Sequence, residues 1–154
     1  MPDVFKPGKR SEVMSRIKGR GNAATEMAMV AIFREAGITG WRRHVELRPM
    51  LAQDDKSHPT KNGRIRVRPD FIFRSVRLAV FIDGCFWHGC SLHAKKPRQN
   101  FEFWSLKLQT NIQRDLVQNR ALAGSGWTVL RIWEHELKNS ADIRARFEEF
   151  MRKA

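Results

Sequence analysis

The segment Phe81 to His93 packs both of the chain's cysteines, two of its five histidines, an aspartate and an adjacent Phe86-Trp87 pair into thirteen residues. Cys85 and Cys90 are separated by four residues, and His93 follows Cys90 after two more. Thiolate and imidazole are the ligands zinc prefers. His135, just beyond a predicted strand, supplies a fourth ligand and closes a tetrahedral Zn²⁺ site. Such a closed Cys2His2 site has no open position, so it would be structural rather than catalytic. The competing reading is two buried thiols and two surface histidines. His88 lies between the cysteines. It either joins the metal or, on a loop already pinned by zinc, titrates near neutrality and serves as the base that activates a water. Phe86 and Trp87 either project as apolar wedges into a base stack or divide between core and surface.

Carboxylates supply the second constellation. Asp70 follows Pro69 at the start of one apolar run, Phe71-Ile72-Phe73, and Asp83 ends the next, Leu78 to Ile82. If these runs pair as a hairpin, the two acids lie at neighbouring ends. Asp70 can then hold Mg²⁺ against a scissile phosphate, or it is a turn aspartate. Asp83 similarly suits the Asp-Gly turn. Glu26 opens a predicted helix, where a negative charge complements the helix dipole.

Basic residues surround these groups. The net charge is +13, with 29 Lys and Arg against 16 Asp and Glu, which points to a polyanionic partner such as nucleic acid. No acid falls between Lys56 and Pro69, a stretch holding Lys56, Lys61, Arg64, Arg66 and Arg68. Arg42 and Arg43, and Lys95, Lys96 and Arg98, flank the central motif as phosphate-gripping residues should.

The elements that must position this chemistry follow from hydrophobic pattern. Residues 1–10 contain proline and glycine and are expected to be loose. A short helix is predicted over 10–18, broken at 19–22, and a second over 26–36 with Thr25 as its N-cap. A strand is predicted over 41–47, and 48–67 reads as an insertion loop. The runs 70–73 and 78–82 form a hairpin whose second strand is fully buried. Asn100 caps a helix over 101–123 with Trp104, Leu108, Ile112, Leu116 and Leu122 as its apolar side. A strand over 127–133 and a helix from Ser140, its cap, to 151 complete the order α-α-β-β-β-α-β-α. That is one α/β domain over 1–154, a central mixed sheet flanked by helices.

Asp83-Gly84-Cys85-Phe86-Trp87-His88-Gly89-Cys90, followed by His93, closely resembles the very-short-patch-repair (Vsr-type) DNA mismatch endonucleases. So do Arg10-Ser11, Met14 and Arg16-Ile17; Gly21-Asn22 with Thr25-Glu26; Pro69-Asp70-Phe71; Phe103-Trp104 with Lys107, Asn111 and Arg114-Asp115; and Gly126-Trp127 through Arg131-Ile132-Trp133-Glu134-His135-Glu136-Leu137. The similarity spans roughly residues 10–137. It implies a restriction-endonuclease-like fold with a structural zinc and Mg²⁺-dependent nicking of one strand beside a T:G mismatch, the lesion left when 5-methylcytosine deaminates. By the resemblance Asp70 is the Mg²⁺ ligand, His88 the general base and Glu26 the residue that orients water. Cys85, Cys90, His93 and His135 hold zinc. Met14, Phe86 and Trp87 wedge into the base stack, and Lys107, Asn111 and Arg114 contact DNA. Two positions depart from the family pattern. Asp83 stands where the best-known members carry an active-site histidine, which makes it a candidate second carboxylate of the metal site. Ile82 replaces a threonine whose backbone oxygen binds metal. The 48–67 stretch is also longer than the link often seen there.

The sequence therefore predicts a zinc-stabilised, Mg²⁺-dependent nicking endonuclease acting on double-stranded DNA with a T:G mismatch. It is expected to be a monomer, with repair proteins as possible partners. With no apolar run near the ~20 residues of a membrane span and no signal peptide, a cytoplasmic, nucleoid-associated enzyme is expected. Two alternatives stand beside it: a same-fold site-specific or defence nuclease without mismatch preference, and a non-catalytic zinc-stabilised DNA-binding module.

Overall fold

The computed structural model describes residues 23–52, 62–84 and 100–153. The predicted helix over 10–18 and the segment that follows Gly84 lie outside them. The described elements run α1 (Ala23–Ala36), β1 (Trp41–Arg43), β2 (Phe71–Phe73), β3 (Leu78–Asp83), α2 (Phe101–Gly124), β4 (Thr128–Trp133), a 3₁₀ helix (Glu134–Lys138) and α3 (Ser140–Lys153). The four strands lie in sequence order in one mixed sheet: β1–β2 and β2–β3 are antiparallel, β3–β4 parallel.

Burial explains the layering. Every residue of β2 and β3 is buried, so both sheet faces must be covered. On one face Phe71, Phe73, Leu78, Val80 and Ile82 pack with Met29 and Phe33 of α1, Ile132 of β4, and Ile143 and Phe147 of α3. Phe33 is the hub. Its ring meets Phe71, Phe73 and Phe147 edge-on, at centroid distances of 5.3, 5.6 and 5.0 Å, a geometry aromatic quadrupoles favour. On the other face Ile72, Ala79 and Phe81 pack with Val117, Ala121 and Leu122 of α2. No helix among the described residues is long and apolar enough to cross a membrane.

The hairpin of β2 and β3 and the strand β4 match the sequence expectation; the segment before them does not. β1 stops at Arg43, not at Leu47, because His44 takes a left-handed backbone (φ 53°). The described parts of the 48–67 stretch, residues 48–52 and 62–67, pair with each other. Leu47 bridges Val67, and Met50 bridges Arg64. Backbone hydrogen bonds of 2.6–3.1 Å join Leu47 with Val67, Ile65 with Pro49, and Leu51 with Gly63. These partners keep the register that sets Trp41 opposite Phe73 and Arg43 opposite Phe71. Residues 41–52 and 62–73 are thus one long antiparallel ribbon, interrupted where His44 faces Asp70. Leu47, Pro49, Ile65 and Val67 are buried, and the residues between them are exposed.

Three caps differ from expectation. α1 already begins at Ala23, which places Thr25 inside its first turn. Asn100 adopts a left-handed conformation and makes no side-chain cap; its carbonyl accepts the Trp104 N–H. At α3 the capping side chain is Asn139, whose Oδ1 accepts the Asp142 N–H at 3.2 Å, rather than Ser140. On α2 Ile112 and Leu116 are exposed. The buried stripe runs instead through Trp104, Leu108, Asp115, Gln118 and Leu122, because Asp115 turns inward toward Arg131 of β4.

Candidate active site

The interruption in the ribbon is where the chemistry gathers. The register places His44 opposite Asp70, and the His44 N–H donates to the Asp70 carbonyl at 3.3 Å. Asp70 is 3 % exposed. The β2–β3 pairing ends at Phe71 opposite Val80, and the Asp70 carboxylate then takes over as acceptor for the next available β3 amide. Its Oδ2 receives the Ile82 N–H at 2.7 Å. That bond fixes the carboxylate against the end of the central strand.

Glu26 reaches the same point from the first turn of α1, 1 % exposed. Its oxygens lie 2.8 and 2.7 Å from Nε2 of His44, and Arg43 donates to Oε2. Burial disfavours its charge, but hydrogen bonds from Arg43 and His44, with their charges, outweigh burial and hold the carboxyl below its usual range. The acid therefore stays ionised despite being buried. Ligand atoms of Glu26, His44 and Asp70 all lie within 4.8 Å of one another. Two buried carboxylates and an imidazole at that separation can share a divalent cation, and oxygen donors suit Mg²⁺.

Asp83 is not drawn into this group. Arg131 of β4, directly beside β3 in the parallel pairing, donates through Nη1 to both Asp83 oxygens at 2.9 and 3.1 Å. The same guanidinium donates through Nε to Asn119 at 2.9 Å, lies 3.7 Å from Asp115, and sits over the Phe81 ring at 4.2 Å. Asp83 thus clamps the end of β3, one residue before Gly84.

Of the other expected site residues, Cys85, Phe86, Trp87, His88, Cys90, His93 and Met14 lie outside the described residues. His135 is half-buried in the 3₁₀ helix after β4. Lys107 and Arg114 are exposed and Asn111 half-buried. Their i, i+4, i+7 spacing places all three on one face of α2. His44 is the site residue the sequence did not single out. The signal that finds it is register: once Trp41 is set against Phe73, His44 falls opposite Asp70.

A family model described as DNA mismatch endonuclease Vsr matches residues 39–94, which include the ribbon, Asp70 and the central motif. The type II nicking enzyme V.NaeI of Lentzea aerocolonigenes is 50 % identical over 72 residues, 47 % of this chain and 43 % of that protein. The DNA mismatch endonuclease Vsr of Escherichia coli (strain K12) is 41 % identical over 73 residues, 46 % of each chain. The type II nicking enzyme V.NmeAIP of Neisseria meningitidis serogroup A is 31 % identical over 153 residues, 99 % of this chain and 96 % of that protein. A likeness that runs the whole length and holds the acid-bearing hairpin at its centre makes this chain a member of the Vsr family, a DNA endonuclease.

Proposed function

We propose that this chain is a Mg²⁺-dependent endonuclease that nicks one strand of double-stranded DNA beside a T:G mismatch. The observation that carries the reading is the cluster of Glu26, His44 and Asp70. Asp70 would hold the ion, with Glu26 orienting a water beside it. Bound Mg²⁺ would polarise the scissile phosphate and offset the charge that grows on it. Asp70 is suited to this because the Ile82 amide fixes its orientation. Glu26 is suited because Arg43 and His44 keep it ionised and hold it still. His44 acts through Glu26, as a positioning residue. His88 takes the proton of the attacking water. Cys85, Cys90, His93 and His135 would hold a structural Zn²⁺ beside His88. Elemental analysis is expected to find one zinc per chain, and a folded, zinc-free protein would remove that assignment. Lys107, Asn111 and Arg114 grip DNA from α2, while Met14, Phe86 and Trp87 enter the stack at the mismatch. The fold is restriction-endonuclease-like, and the enzyme works as a monomer on chromosomal DNA in the cytoplasm.

A second reading keeps the chemistry and drops the mismatch. It is favoured by relatives named type II nicking enzymes. Three duplexes of identical flanking sequence, with T:G, A:T or G:C at one position, separate the two. Mismatch repair expects Mg²⁺-dependent breaks in one strand of the T:G duplex alone. Equal nicking of all three would replace it with the site-specific reading.

A further inference from the structure

The ribbon continues past the acid cluster and carries a charge pattern that the reaction itself does not use. Beyond His44 and Asp70 its buried residues fasten it to the body: Leu47, Ile65 and Val67 pack with Val117, Ala121 and Leu122. The Met50 N–H adds a bond to Ser125 Oγ at 3.2 Å. The alternate residues face out, and on the described part of the arm they are Glu46, Arg48, Met50, Arg64, Arg66 and Arg68. Glu46 is the one acid among them. Its carboxylate accepts from Arg48 on its own strand and from Arg66 across the ribbon, at 2.9 Å each. Arg64 donates to the Arg48 carbonyl at 2.8 Å, and Arg68 to the His44 carbonyl at 3.0 Å. Each of these two bonds occupies a single N–H of a guanidinium that has five.

These contacts hold the guanidiniums upright, and Glu46 offsets only one of the four positive charges. Four arginines face one glutamate, and the Arg48 and Arg66 side chains remain 59 % and 72 % exposed. At a strand rise of about 3.3 Å per residue, Arg68, Arg66 and Arg64 stand roughly 7, 13 and 20 Å along the ribbon from Asp70. One DNA strand presents a phosphate for every ~3.4 Å of duplex axis. The arm therefore spans about six base steps to one side of a phosphate held at the acid cluster.

We infer that this arm is a sequence-independent grip on the duplex backbone, engaging phosphates on one flank of the nick through Arg64 and Arg66. The inference rests on DNA as the substrate and not on mismatch preference, because backbone contacts are the same on matched and mismatched duplexes.

The test is binding of the full-length protein to intact T:G and matched duplexes by fluorescence anisotropy across a salt series. An Arg64→Gln/Arg66→Gln variant is expected to lower the slope of log K against log [salt] by about 1.8, two contacts at ~0.9 each, equally on both duplexes. Arg64→Lys/Arg66→Lys, which keeps the charges, is expected to hold the parent slope. Shortening the duplex on the arm's side should erase the difference between parent and Gln variant, while shortening it on the other side should preserve it. A Gln variant that melts like the parent and keeps its salt slope would overturn the inference. A difference that survives shortening from either side would do the same. Failure of T:G preference would show separately, as equal nicking of the three duplexes, and would leave these slopes unchanged.

Discussion

Asp70→Asn is expected to cut strand nicking by at least 10²–10³-fold, the loss typical when a group that stabilises transition-state charge is removed, while the protein folds as before. Asparagine keeps the volume of the side chain and a carbonyl oxygen that can accept the Ile82 N–H now bound at 2.7 Å. What it loses is the negative charge that would bind a divalent cation. The choice of variant matters, because Asp70→Ala would also strand the Ile82 amide in a buried setting, at a cost of about 1–3 kcal/mol. A folding defect would then be confused with a chemical one. Single-turnover nicking and a melting curve on the same preparation separate the two. Nicking at the parent rate would remove Asp70 from the reaction.

Arg131→Met is expected to give the largest loss of stability, roughly 3–5 kcal/mol, the cost of removing one partner from a buried ion cluster. The Arg131 side chain is 18 % exposed, and the carboxylates it meets, Asp83 and Asp115, are 8 % and 10 % exposed. Methionine fills much of the space over the Phe81 ring but supplies no charge and no donor. The two carboxylates then lose the cation that lies between them. For a chain of this length that corresponds to a fall in Tm of about 10 °C. Adding Asp83→Asn to Arg131→Met is expected to recover part of the loss, because a neutral amide tolerates burial better than a carboxylate that has lost its arginine. Nicking should weaken alongside stability, since Asp83 ends the strand that precedes Cys85 and His88 in sequence. A single variant that melts like the parent would show that the clamp contributes nothing to folding.

The parts of the fold that were legible in sequence are those encoded by contiguous hydrophobic runs. Phe71-Ile72-Phe73 and Leu78 to Ile82 announce themselves as strands because both faces of the sheet are covered there, and the mostly half-buried Thr128 to Trp133 does so through its β-branched and aromatic residues. The arm hides itself. Its inward residues, Leu47, Pro49, Ile65 and Val67, alternate with arginines, and a proline on each side disguises the alternation as loop. Its pairing is also fixed at long range, by the register inherited from β1 and β2.

The candidate site divides along the same line. Asp70 was legible from Pro69-Asp70 ahead of an apolar strand, and Glu26 from the family resemblance. His44 was not, because its place depends on which residue lies across the ribbon and on a left-handed backbone that few non-glycine residues adopt. A non-glycine residue held in that conformation beside two buried carboxylates is the kind of strain that collects at functional sites. Asp83 shows what a motif position leaves open. Its position in the motif suggested a metal carboxylate, but whether an aspartate at a strand end meets a metal or an arginine is decided by the neighbouring strand. Here that neighbour presents Arg131. The proposed zinc ligands Cys85, Cys90 and His93, and His88, stand on residue type, spacing and resemblance.

The claim on which the rest depends is that a divalent cation binds at Asp70, beside Glu26 and His44. Substoichiometric Mn²⁺, a paramagnetic stand-in for Mg²⁺ that accepts the same oxygen ligands, tests it without reference to turnover. Added to the protein, Mn²⁺ is expected to broaden the NMR signals of the Ile82 amide and the His44 ring first, and Asp70→Asn is expected to abolish that broadening. Broadening centred elsewhere in the protein, or undiminished in the Asp70→Asn variant, would contradict a metal-dependent active site at the break in the ribbon.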